Sequence, residues 1–445
     1  MSTFMVLMSL VAPSCVAGDE RDGKPVKAPA HFAHFSAKGQ TNGAPEGWTT
    51  WCPRAEIAPR FTVDTGPAHA GHGSLKIDGN GSPAAFGAWR TTVSGIISGR
   101  VYRFTAYYKA RNVPFPQRSV SARLDWRDAS GKQPRPPDYV LDAGKDREWT
   151  KVEHVAAAPE KASSVMIELA FGWCPKGEVA WDDISLVEES LPKQRAARAL
   201  TIFHRPSGTK SASESVEQFC RLMEESASQK PDLICLPEGI TVVGTGLKYA
   251  DVCEAIPGPT TGRLGEVAKK LNCYIVGGIY ERVGPAIYNT AVLIGRDGKL
   301  VGTYRKTHLP REEIEGGLTP GDSYPVFDTD FGKVGLMICW DVQFPEPARA
   351  LALKGAEVIL LPIWGGNEVL ARARAIENHV FLISSSYDMK TFIVNPAGEV
   401  LAEASKEHPC VSAELPLDRK IVQPWLGDMK PSTWKERRPD IAPKG

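Results

Sequence analysis

Hydrophobic and polar positions alternate with a period of two along most of the first half of the chain. Three runs show the pattern clearly: VYRFTAYYKA at 101–110, SVSARLDWRD at 119–128 and SVMIELAFGW at 164–173. Gly, Pro and Asn separate these runs, as is typical of short strands joined by turns. Such strands have one apolar face each and bury it by packing as two sheets. Residues 28–189 are therefore predicted to form an all-β sandwich.

The pattern changes after residue 198, where apolar runs of strand length alternate with segments of helical period. The apolar runs include DLICLPE, VGLMIC and VILLPIW, and the helical segments include SASESVEQFCRLMEESASQ, PEPARALALKGA and NEVLARARAIENHV. In the first helical segment, Ser211 and Glu214 have the spacing of an N-terminal capping box. Strands that alternate with helices favour an α/β layer architecture, with sheets covered by helices. The charged segment 190–198 is predicted to be the linker between the two halves.

The composition is that of a soluble globular protein with more than one domain. The chain has 445 residues, of which 42% are hydrophobic and 24% are charged, and this length favours two domains over a single core. The 53 basic and 52 acidic side chains nearly cancel, so no net basic field favours nucleic acid or an anionic membrane. We therefore expect a small-molecule substrate and no nucleic-acid partner.

The first 17 residues resemble a secretory signal peptide. The apolar run FMVLMSLVA is followed by small residues up to Ala17, although no Lys or Arg precedes the run. The run is too short to span a membrane, and no later segment is long enough. Segment 1–17 thus favours a secreted or periplasmic protein, with a cytoplasmic protein as the alternative. In an exported protein, Cys52 and Cys174 could form a disulfide, while the absence of C-x-x-C spacing in the sequence predicts no structural zinc.

Three of the predicted strands in the second half end on chemically useful residues. Glu238 follows LICLP, Lys306 lies in YRKTHLP, and Cys339 ends VGLMIC. In open α/β sheets, functional groups gather at the carboxyl ends of strands. A thiol that attacks a carbonyl or nitrile carbon needs a carboxylate to accept its proton and a fixed cation to stabilise the oxyanion. The three residues together predict such a site, in which Lys306 also favours the thiolate form of Cys339.

Residues 199–445 resemble the nitrilase superfamily of carbon-nitrogen hydrolases. The resemblance rests on the motifs LICLPE, YRKTHLP and GLMICWDVQFPEPARALALKGAEVILLP, which follow the family's order and have comparable spacing. It implies an α/β domain built as a four-layer α-β-β-α sandwich, often assembled into dimers or larger oligomers. It also implies that the reaction needs neither a cofactor nor a metal ion.

The resemblance also implies a role for each of the strand-end residues. Cys339 corresponds to the nucleophile, Glu238 to the general base and Lys306 to the oxyanion stabiliser. Two carboxylates follow the nucleophile, Asp341 and Glu346, and we interpret them as turn and helix-start residues, because carboxylates favour helix amino termini.

A second glutamate, between the lysine and the cysteine, is a further feature of the family. The segment HLPREEIEGGLTPGD offers Glu312, Glu313 and Glu315, and its length departs slightly from the expected pattern. We select Glu313 for this role, with Glu315 as the next choice. The backbone N–H of Trp340 is expected to join the oxyanion site because it follows the nucleophile directly. Asn289, in YNTA, is either a hydrogen-bonding residue near the site or a structural one.

The first half of the chain resembles the jelly-roll carbohydrate-binding modules and galactose-binding-like domains more loosely. This resemblance rests on GRVYRFTAYYKARNV and on the closing run VAWDDISLVEE. It implies a jelly-roll accessory domain with carbohydrate as a candidate partner. Aromatic residues of a small sandwich also belong to its core, so they do not by themselves identify a sugar site.

These observations predict hydrolysis of a non-peptide C–N bond, in an amide or carbamoyl amide, through an acyl-enzyme on Cys339. Nitrile hydrolysis and acyl transfer by the same site are alternatives. An alternative of another class is a catalytically weak scaffold that carries a sugar-binding domain. A papain-like enzyme with His308 or His379 as its base would leave Glu238 without a role.

Overall fold

The computed structural model describes residues 31–33 and 44–441, so the predicted signal segment 1–17 lies outside the described residues. The first half of the chain is built almost entirely of strands. They are β1 (His31–Ala33), β2 (Trp48–Trp51), β3 (Arg60–Pro67), β4 (His72–Asp78), β5 (Phe86–Ser94), β6 (Val101–Arg111), β7 (Val120–Asp128), β8 (Asp138–Asp146), β9 (Trp149–Ala157), β10 (Ala162–Gly172) and β11 (Glu178–Glu189), with a one-turn helix α1 (Pro116–Ser119) and a 3₁₀ turn at Ala55–Ile57.

The strands of this half form two antiparallel layers that share one core. One layer has the order β2-β5-β10-β7-β8, and the other has the order β8-β9-β6-β11-β4-β3 with β1 beside β11. Strand β8 belongs to both layers, because its first residues pair with β7 and its later residues pair with β9. Fully buried Trp89 and Trp126 from the first layer meet Trp181 from the second in the core. The period-two pattern of the sequence therefore predicts the strands of this half correctly.

Cys52 and Cys174 do not form a disulfide in this fold, and both are free thiols. Cys52 follows β2 and Cys174 follows β10, and β5 lies between these two strands. Two strand spacings amount to about 9–10 Å, whereas the Cα atoms of a disulfide are at most about 7 Å apart. The Cys174 thiol instead donates to the carbonyl oxygen of Asn112 at 3.4 Å.

The second half alternates strands and helices. Its elements are β12 (Ala196–Ile202), α2 (Ala212–Glu225), β13 (Leu233–Cys235), α3 (Tyr249–Val252), α4 (Pro259–Leu271), β14 (Tyr274–Val283), β15 (Ala286–Ile294), β16 (Leu300–Arg305), α5 (Arg311–Glu315), β17 (Val326–Asp328), β18 (Lys333–Leu336), α6 (Pro345–Leu353), β19 (Val358–Pro362), α7 (Glu368–Asn378), β20 (Phe381–Ser385), β21 (Thr391–Val394), β22 (Val400–Ala404), β23 (Cys410–Pro416), β24 (Val422–Gln423), β25 (Gly427–Asp428) and α8 (Met429–Glu436), with 3₁₀ turns at Ala227–Gln229 and Cys339–Gln343.

Two six-stranded sheets form the centre of this half, in the orders β16-β15-β14-β13-β12-β23 and β17-β18-β19-β20-β21-β22. Their inner faces share a core that includes Val276 from the first sheet and Leu360 from the second. Helices α2 and α4 cover the outer face of the first sheet, and α6 and α7 cover that of the second. The predicted four-layer α-β-β-α sandwich is thus confirmed for this half.

Helix α2 shows how the sequence sets one of these outer layers. Its N-cap is Ser211, whose hydroxyl accepts a hydrogen bond from the backbone N–H of Glu214 at 3.2 Å. The Glu214 carboxylate accepts from the backbone N–H of Lys210 at 2.8 Å, so the second half of the capping box is shifted by one residue. The buried face of the helix carries Val216, Phe219, Cys220 and Met223, as its helical period predicts.

Helix α8 lies between the two halves of the chain. Its Lys435 pairs with Asp142 of β8 at 3.4 Å, while its Thr433 hydrogen-bonds His379 at 3.0 Å. Trp434 packs against the core under α6 and α7. The carboxyl-terminal segment therefore joins the β-sandwich to the helical face of the second half. Among the described helices, none combines the length and apolar character that a membrane span requires.

Candidate active site

Glu238, Lys306 and Cys339 converge at one end of the two central sheets. Glu238 follows β13, Lys306 directly follows β16, and Cys339 begins the 3₁₀ turn after β18. Glu238 is only 3% exposed and Lys306 only 1% exposed. A charged side chain is rarely buried to this extent without a partner of opposite charge. Cys339 is half-buried and interacts electrostatically with both residues, so the three predicted residues form one polar cluster.

The ammonium group of Lys306 is held between two carboxylates. Its Nζ lies 2.9 Å from Glu238 Oε1 and 2.9 Å from Glu313 Oε1. Glu313 is buried on α5, whereas Glu312 and Glu315 are exposed, and Glu315 pairs with its neighbour Arg311 at 2.6 Å. Of the three glutamates that the sequence offered, the fold thus brings Glu313 to the lysine.

Asn289 hydrogen-bonds the same two carboxylates as Lys306. Its Nδ2 donates to Glu238 Oε1 and to Glu313 Oε1, both at 2.7 Å. Its backbone carbonyl also accepts from the N–H of Lys306 at 2.8 Å, which fixes the lysine at the end of β16. The structure therefore favours the interpretation of Asn289 as a hydrogen-bonding residue near the site over that of a structural residue.

The position of Glu238 is fixed by contacts from neighbouring strands. The backbone N–H of Trp364 donates to Glu238 Oε2 at 2.9 Å, and the hydroxyl of Tyr387 donates to the Glu238 carbonyl at 2.9 Å. Strand β14 passes so close that a Cβ on Gly278 would lie 2.7 Å from the Glu238 Cα. Glycine is therefore required there for the strand to approach the carboxylate residue.

Cys339 has a strained backbone at the point where strand becomes turn. Its φ is +43°, in the left-handed region that residues with a side chain seldom occupy. The thiol lies 3.7 Å from the carbonyl oxygen of Gly365, in the segment that follows β19. Strain of this kind persists where surrounding structure enforces it, and it is concentrated at functional sites.

The electrostatics of the cluster keep the thiol protonated. Burial raises the pKa of Cys339, and the Glu238 carboxylate raises it further, whereas Lys306 lowers it. The net shift is upward, so Lys306 favours the thiolate in the expected direction without making it the resting form of Cys339. Lys306 is close enough to act in the expected direction, but burial and Glu238 together outweigh it. Deprotonation of Cys339 thus requires a base.

Burial acts in opposite directions on the pKa values of Lys306 and Glu313. Burial lowers the pKa of Lys306, but the nearby carboxylates of Glu238 and Glu313 outweigh burial, and the net shift is upward. Lys306 is therefore a permanent cation. Burial and the nearby Glu238 charge raise the pKa of Glu313, which Lys306 opposes.

Asp341 is a component of the site whose importance the sequence interpretation missed. Its side chain is 0% exposed. It accepts five hydrogen bonds, at 2.7–3.2 Å, and the donors are the Tyr304 hydroxyl, the Ile338 N–H, the Thr307 hydroxyl, and the backbone N–H and Nδ1 of His308. Asp341 is a turn residue, as expected, but its carboxylate also joins the lysine segment to the cysteine turn. Its position two residues after Cys339 is also that of an ordinary turn residue, so the sequence alone does not set it apart.

The two histidines of the papain-like alternative form hydrogen bonds with residues other than Cys339. His308 is bonded to Asp341 and stacks on Phe344, with 4.2 Å between ring centroids. His379 ends α7 and hydrogen-bonds Thr433. Within the part of the chain that the structure describes, neither histidine hydrogen-bonds Cys339. The Cys-His arrangement is therefore not formed.

Aromatic and charged side chains surround the cluster. Trp340 is 40% exposed directly beside Cys339, and Trp364 packs edge-on against Tyr387. Arg205 lies 5.4 Å from the Trp364 ring and pairs with Asp388 at 2.6 Å. Trp340 was expected beside the site for its backbone N–H, whereas no role was predicted for Arg205, Trp364 or Tyr387, which come from the loops after β12, β19 and β20. Within residues 44–441, no group of three or more His, Cys, Asp and Glu side chains is arranged to hold a metal ion.

Comparison with known proteins matches the part of the chain that carries this cluster. The family model for carbon-nitrogen hydrolases matches residues 196–421. Omega-amidase NIT2 of Bos taurus is 34% identical over 236 residues, which cover 46% of this chain and 84% of that protein. Omega-amidase NIT2 of Danio rerio is 34% identical over 253 residues, which cover 49% of this chain and 87% of that protein. Among solved structures, Nit3 of Saccharomyces cerevisiae is 26% identical, covers 51% of this chain and 93% of that chain, and has a TM-score of 0.46.

Proposed function

This chain belongs to the carbon-nitrogen hydrolase family, and we propose that it hydrolyses an amide through a covalent acyl-enzyme on Cys339. The protein is a cysteine-dependent amide hydrolase of the nitrilase superfamily. The assignment of roles rests on one observation above all: Lys306 is fixed at 2.9 Å from both Glu238 and Glu313, beside a protonated thiol.

In acylation, Glu238 accepts the proton of the Cys339 thiol as the sulfur attacks the amide carbon. A C–S bond forms, and the carbonyl becomes a tetrahedral oxyanion. The raised pKa of the thiol makes such a base necessary, and Glu238 is the carboxylate whose charge acts on it most strongly.

The oxyanion is stabilised by Lys306 and by the backbone N–H of Trp340. Lys306 stays charged because its neighbours raise its pKa. Trp340 is the second residue of a 3₁₀ turn, and the first N–H groups of a helical turn have no acceptor within it. Donors fixed before the reaction stabilise developing charge without the cost of reorientation.

Collapse of the tetrahedral intermediate breaks the C–N bond. Glu238 returns its proton to the nitrogen, and ammonia or an amine leaves, with a thioester on Cys339. Water then attacks the thioester carbon while Glu238 accepts a proton from the water. The C–S bond breaks, Cys339 regains a proton, and the carboxylic acid is released.

Glu313 and Asn289 act in this account as positioning residues. Glu313 accepts a hydrogen bond from Lys306 and Asn289 donates one to Glu238, and neither residue needs to change its covalent state. They hold the Lys306 ammonium and the Glu238 carboxylate in a fixed geometry. Fixed orientation of the reacting groups accounts for much of the rate enhancement in such sites.

For the substrate class we propose small primary amides, since the NIT2 relatives carry the name omega-amidase. Carbamoyl amides and acyl transfer to an amine pass through the same kind of S-acyl enzyme, whereas a nitrile first forms a thioimidate, which adds water and loses ammonia to give the thioester. A substrate panel identifies the class by which compound releases ammonia, and it identifies acyl transfer by the new amide formed when an amine is supplied.

The first half is proposed to be a jelly-roll accessory domain that binds carbohydrate, and the whole protein to be exported after removal of residues 1–17. The β-sandwich topology supports the former proposal, and the apolar amino-terminal run supports the latter. Assembly into homo-oligomers is also proposed, because Leu353 on α6 and Val369 and Ile376 on α7 are exposed apolar side chains.

The catalytic proposal is tested by ammonia release from small amides. Cys339→Ala, Glu238→Gln and Lys306→Gln are each expected to lose activity by at least about 10³-fold. Glu312→Gln alters an exposed neighbour of Glu313 and should leave the rate unchanged. Wild-type turnover by Cys339→Ala would exclude the thiol mechanism.

A further inference from the structure

A groove of about 330 Å³ runs between the β-sandwich and the carboxyl-terminal segment. Its floor comes from α1, β7 and β8, and one wall comes from the residues around Trp173 at the end of β10. The opposite wall is formed by Lys435, Glu436, Arg437 and Arg438 at the end of α8. Both halves of the chain therefore contribute to the groove, which none of the catalytic residues lines.

Trp173 presents an aromatic surface to this groove at a conformational cost. It has a φ of +57°, in the left-handed region, and it is 44% exposed. A left-handed backbone is a true outlier for a bulky residue. The conformation is enforced by a 2.7 Å hydrogen bond from its N–H to the Ala85 carbonyl and by stacking on Phe86, with centroids 4.9 Å apart. One face of the indole thus rests on Phe86, the Arg118 guanidinium lies 5.9 Å from the ring centroid, and the rest of the ring is exposed to the groove.

Cations outnumber carboxylates along the groove. Five basic side chains line it, Arg118, Arg123, Lys435, Arg437 and Arg438, together with one acidic side chain, Glu436. Carboxylates just outside the lining occupy most of these cations: Asp440 pairs with Arg118 and Arg438, Glu168 with Arg123, and Asp142 with Lys435. Arg437 has no carboxylate partner among the residues that the structure describes, and its guanidinium lies 5.9 Å from the Trp434 ring.

Arg123 is held in a rigid position on the floor. The buried Glu168 carboxylate, 2% exposed, binds the Nε of Arg123 and the Nε of Arg90, both at 2.8 Å. Arg90 in turn stacks on the Trp51 ring at 3.6 Å. A guanidinium fixed in this way loses little entropy when it binds an anion. Neutral hydrogen-bonding groups complete the floor, namely Gln117, Ser119, Ser121 and Tyr139.

We propose that this groove binds an acidic saccharide, with a sugar ring on Trp173 and its carboxylate at Arg437 and Arg123. An aromatic face accepts the C–H face of a pyranose ring, neutral hydroxyl and amide groups match sugar hydroxyls, and the unpaired cation selects a carboxylate. The inference rests on the proposed accessory role of the sandwich and adds to it the site and the charge of the ligand. It does not depend on the catalytic assignment.

The test is calorimetric titration of the full chain with uronate-containing trisaccharides, covering galacturonate, glucuronate and mannuronate. Binding of at least one trisaccharide is expected, with affinity that falls as salt rises. Trp173→Ala and Arg437→Ala should each weaken it by about tenfold or more. The matched controls are Trp425→Ala, which removes an indole that is 76% exposed outside the groove, and Arg147→Ala, which removes an exposed arginine elsewhere on the sandwich.

Several results would overturn the proposal. Absence of binding by every uronate, equal binding of the methyl-esterified neutral trisaccharides, or tighter binding of a nucleotide such as ATP would each do so. Equal loss in the Trp425→Ala control would also contradict it. Cys339→Ala should bind the saccharide like wild type, so failure of the amidase proposal would be seen separately in ammonia release.

Discussion

The hydroxyl of Tyr304 lies 2.7 Å from the carboxylate of Asp341. This hydrogen bond joins the strand that ends before Lys306 to the turn that begins at Cys339. Because Asp341 also accepts from Ile338, directly before the nucleophile, at 2.9 Å, one buried carboxylate sets the relative positions of the cation and the thiol.

Asp341→Asn is therefore expected to lower kcat of amide hydrolysis by about 10–100-fold, with a smaller effect on KM. The amide preserves shape but replaces an acceptor oxygen with a donor, so one of the hydrogen bonds from Tyr304 or His308 is lost. Tyr304→Phe removes a single bond and should have a smaller effect in the same direction. Unchanged kcat in Asp341→Asn, with a normal unfolding transition, would contradict the positioning role.

Glu313→Gln is expected to reduce kcat by about 10²-fold, because Lys306 keeps an acceptor but loses one of its two negative partners. Glu315→Gln is the matched control, since that side chain is exposed and pairs only with Arg311 among the described residues. Steady-state rates of the two variants decide between the glutamates. A larger loss in Glu315→Gln than in Glu313→Gln would show that the second glutamate is wrongly assigned.

The raised pKa of Cys339 predicts a specific pH dependence of alkylation. Burial comes first among its causes and the Glu238 charge second, so the thiolate of the wild type should accumulate only at a pH above that of an ordinary thiol. Removal of the Glu238 charge in Glu238→Gln lowers the pKa of Cys339. Iodoacetamide modification, followed by mass spectrometry against pH, should therefore have its midpoint at lower pH in this variant. A midpoint shifted upward would reverse the assigned sign.

The stability of the folded chain is predicted to fall in acid. Burial lowers the pKa of His154 on β9 from 6.5 to about 4, with Lys420 and Arg135 acting in the same direction and Asp138 opposing them. The unfolded chain binds a proton below pH 6.5 that the folded chain accepts only near pH 4, so the contribution of His154 is present above pH 6.5 and lost as pH falls. That loss is on the order of 3 kcal/mol.

Chemical unfolding of wild type and His154→Gln at pH 7 and pH 4.5 measures this contribution. The free energy of unfolding should fall less with acid in the variant than in the wild type. Equal pH dependence in the two proteins would mean that His154 is not a buried neutral group.

Much of the candidate site was predictable because its residues lie at strand ends. Glu238 and Cys339 lie at the ends of apolar runs and Lys306 directly follows β16, and the layer order of the sheets brings those strand ends together. Glu313 was one of three nearby glutamates, and only the orientation of the short helix α5 selects it. Asp341 could not be distinguished from an ordinary turn residue, since its partners at 304–308 are distant in sequence.

The remaining differences between the sequence-based predictions and the structure arise from contacts between residues that are distant in sequence, which a local pattern does not contain. The net shift of the Cys339 pKa depends on the sum of burial and two opposite charges, so the presence of a lysine did not determine its sign. The position of α8 depends on contacts with both halves, including Asp142 and His379. The Cys52–Cys174 hypothesis failed because strand order, rather than spacing along the chain, separates the two thiols.

The most direct test of the central claim is intact-protein mass spectrometry of the chain shortly after it is mixed with a slowly hydrolysed small amide. A wild-type species heavier by the mass of the acyl group is expected, with the added mass mapped to Cys339 by proteolysis and absent from Cys339→Ala. An adduct on another residue, or amide turnover by Cys339→Ala at the wild-type rate, would contradict it.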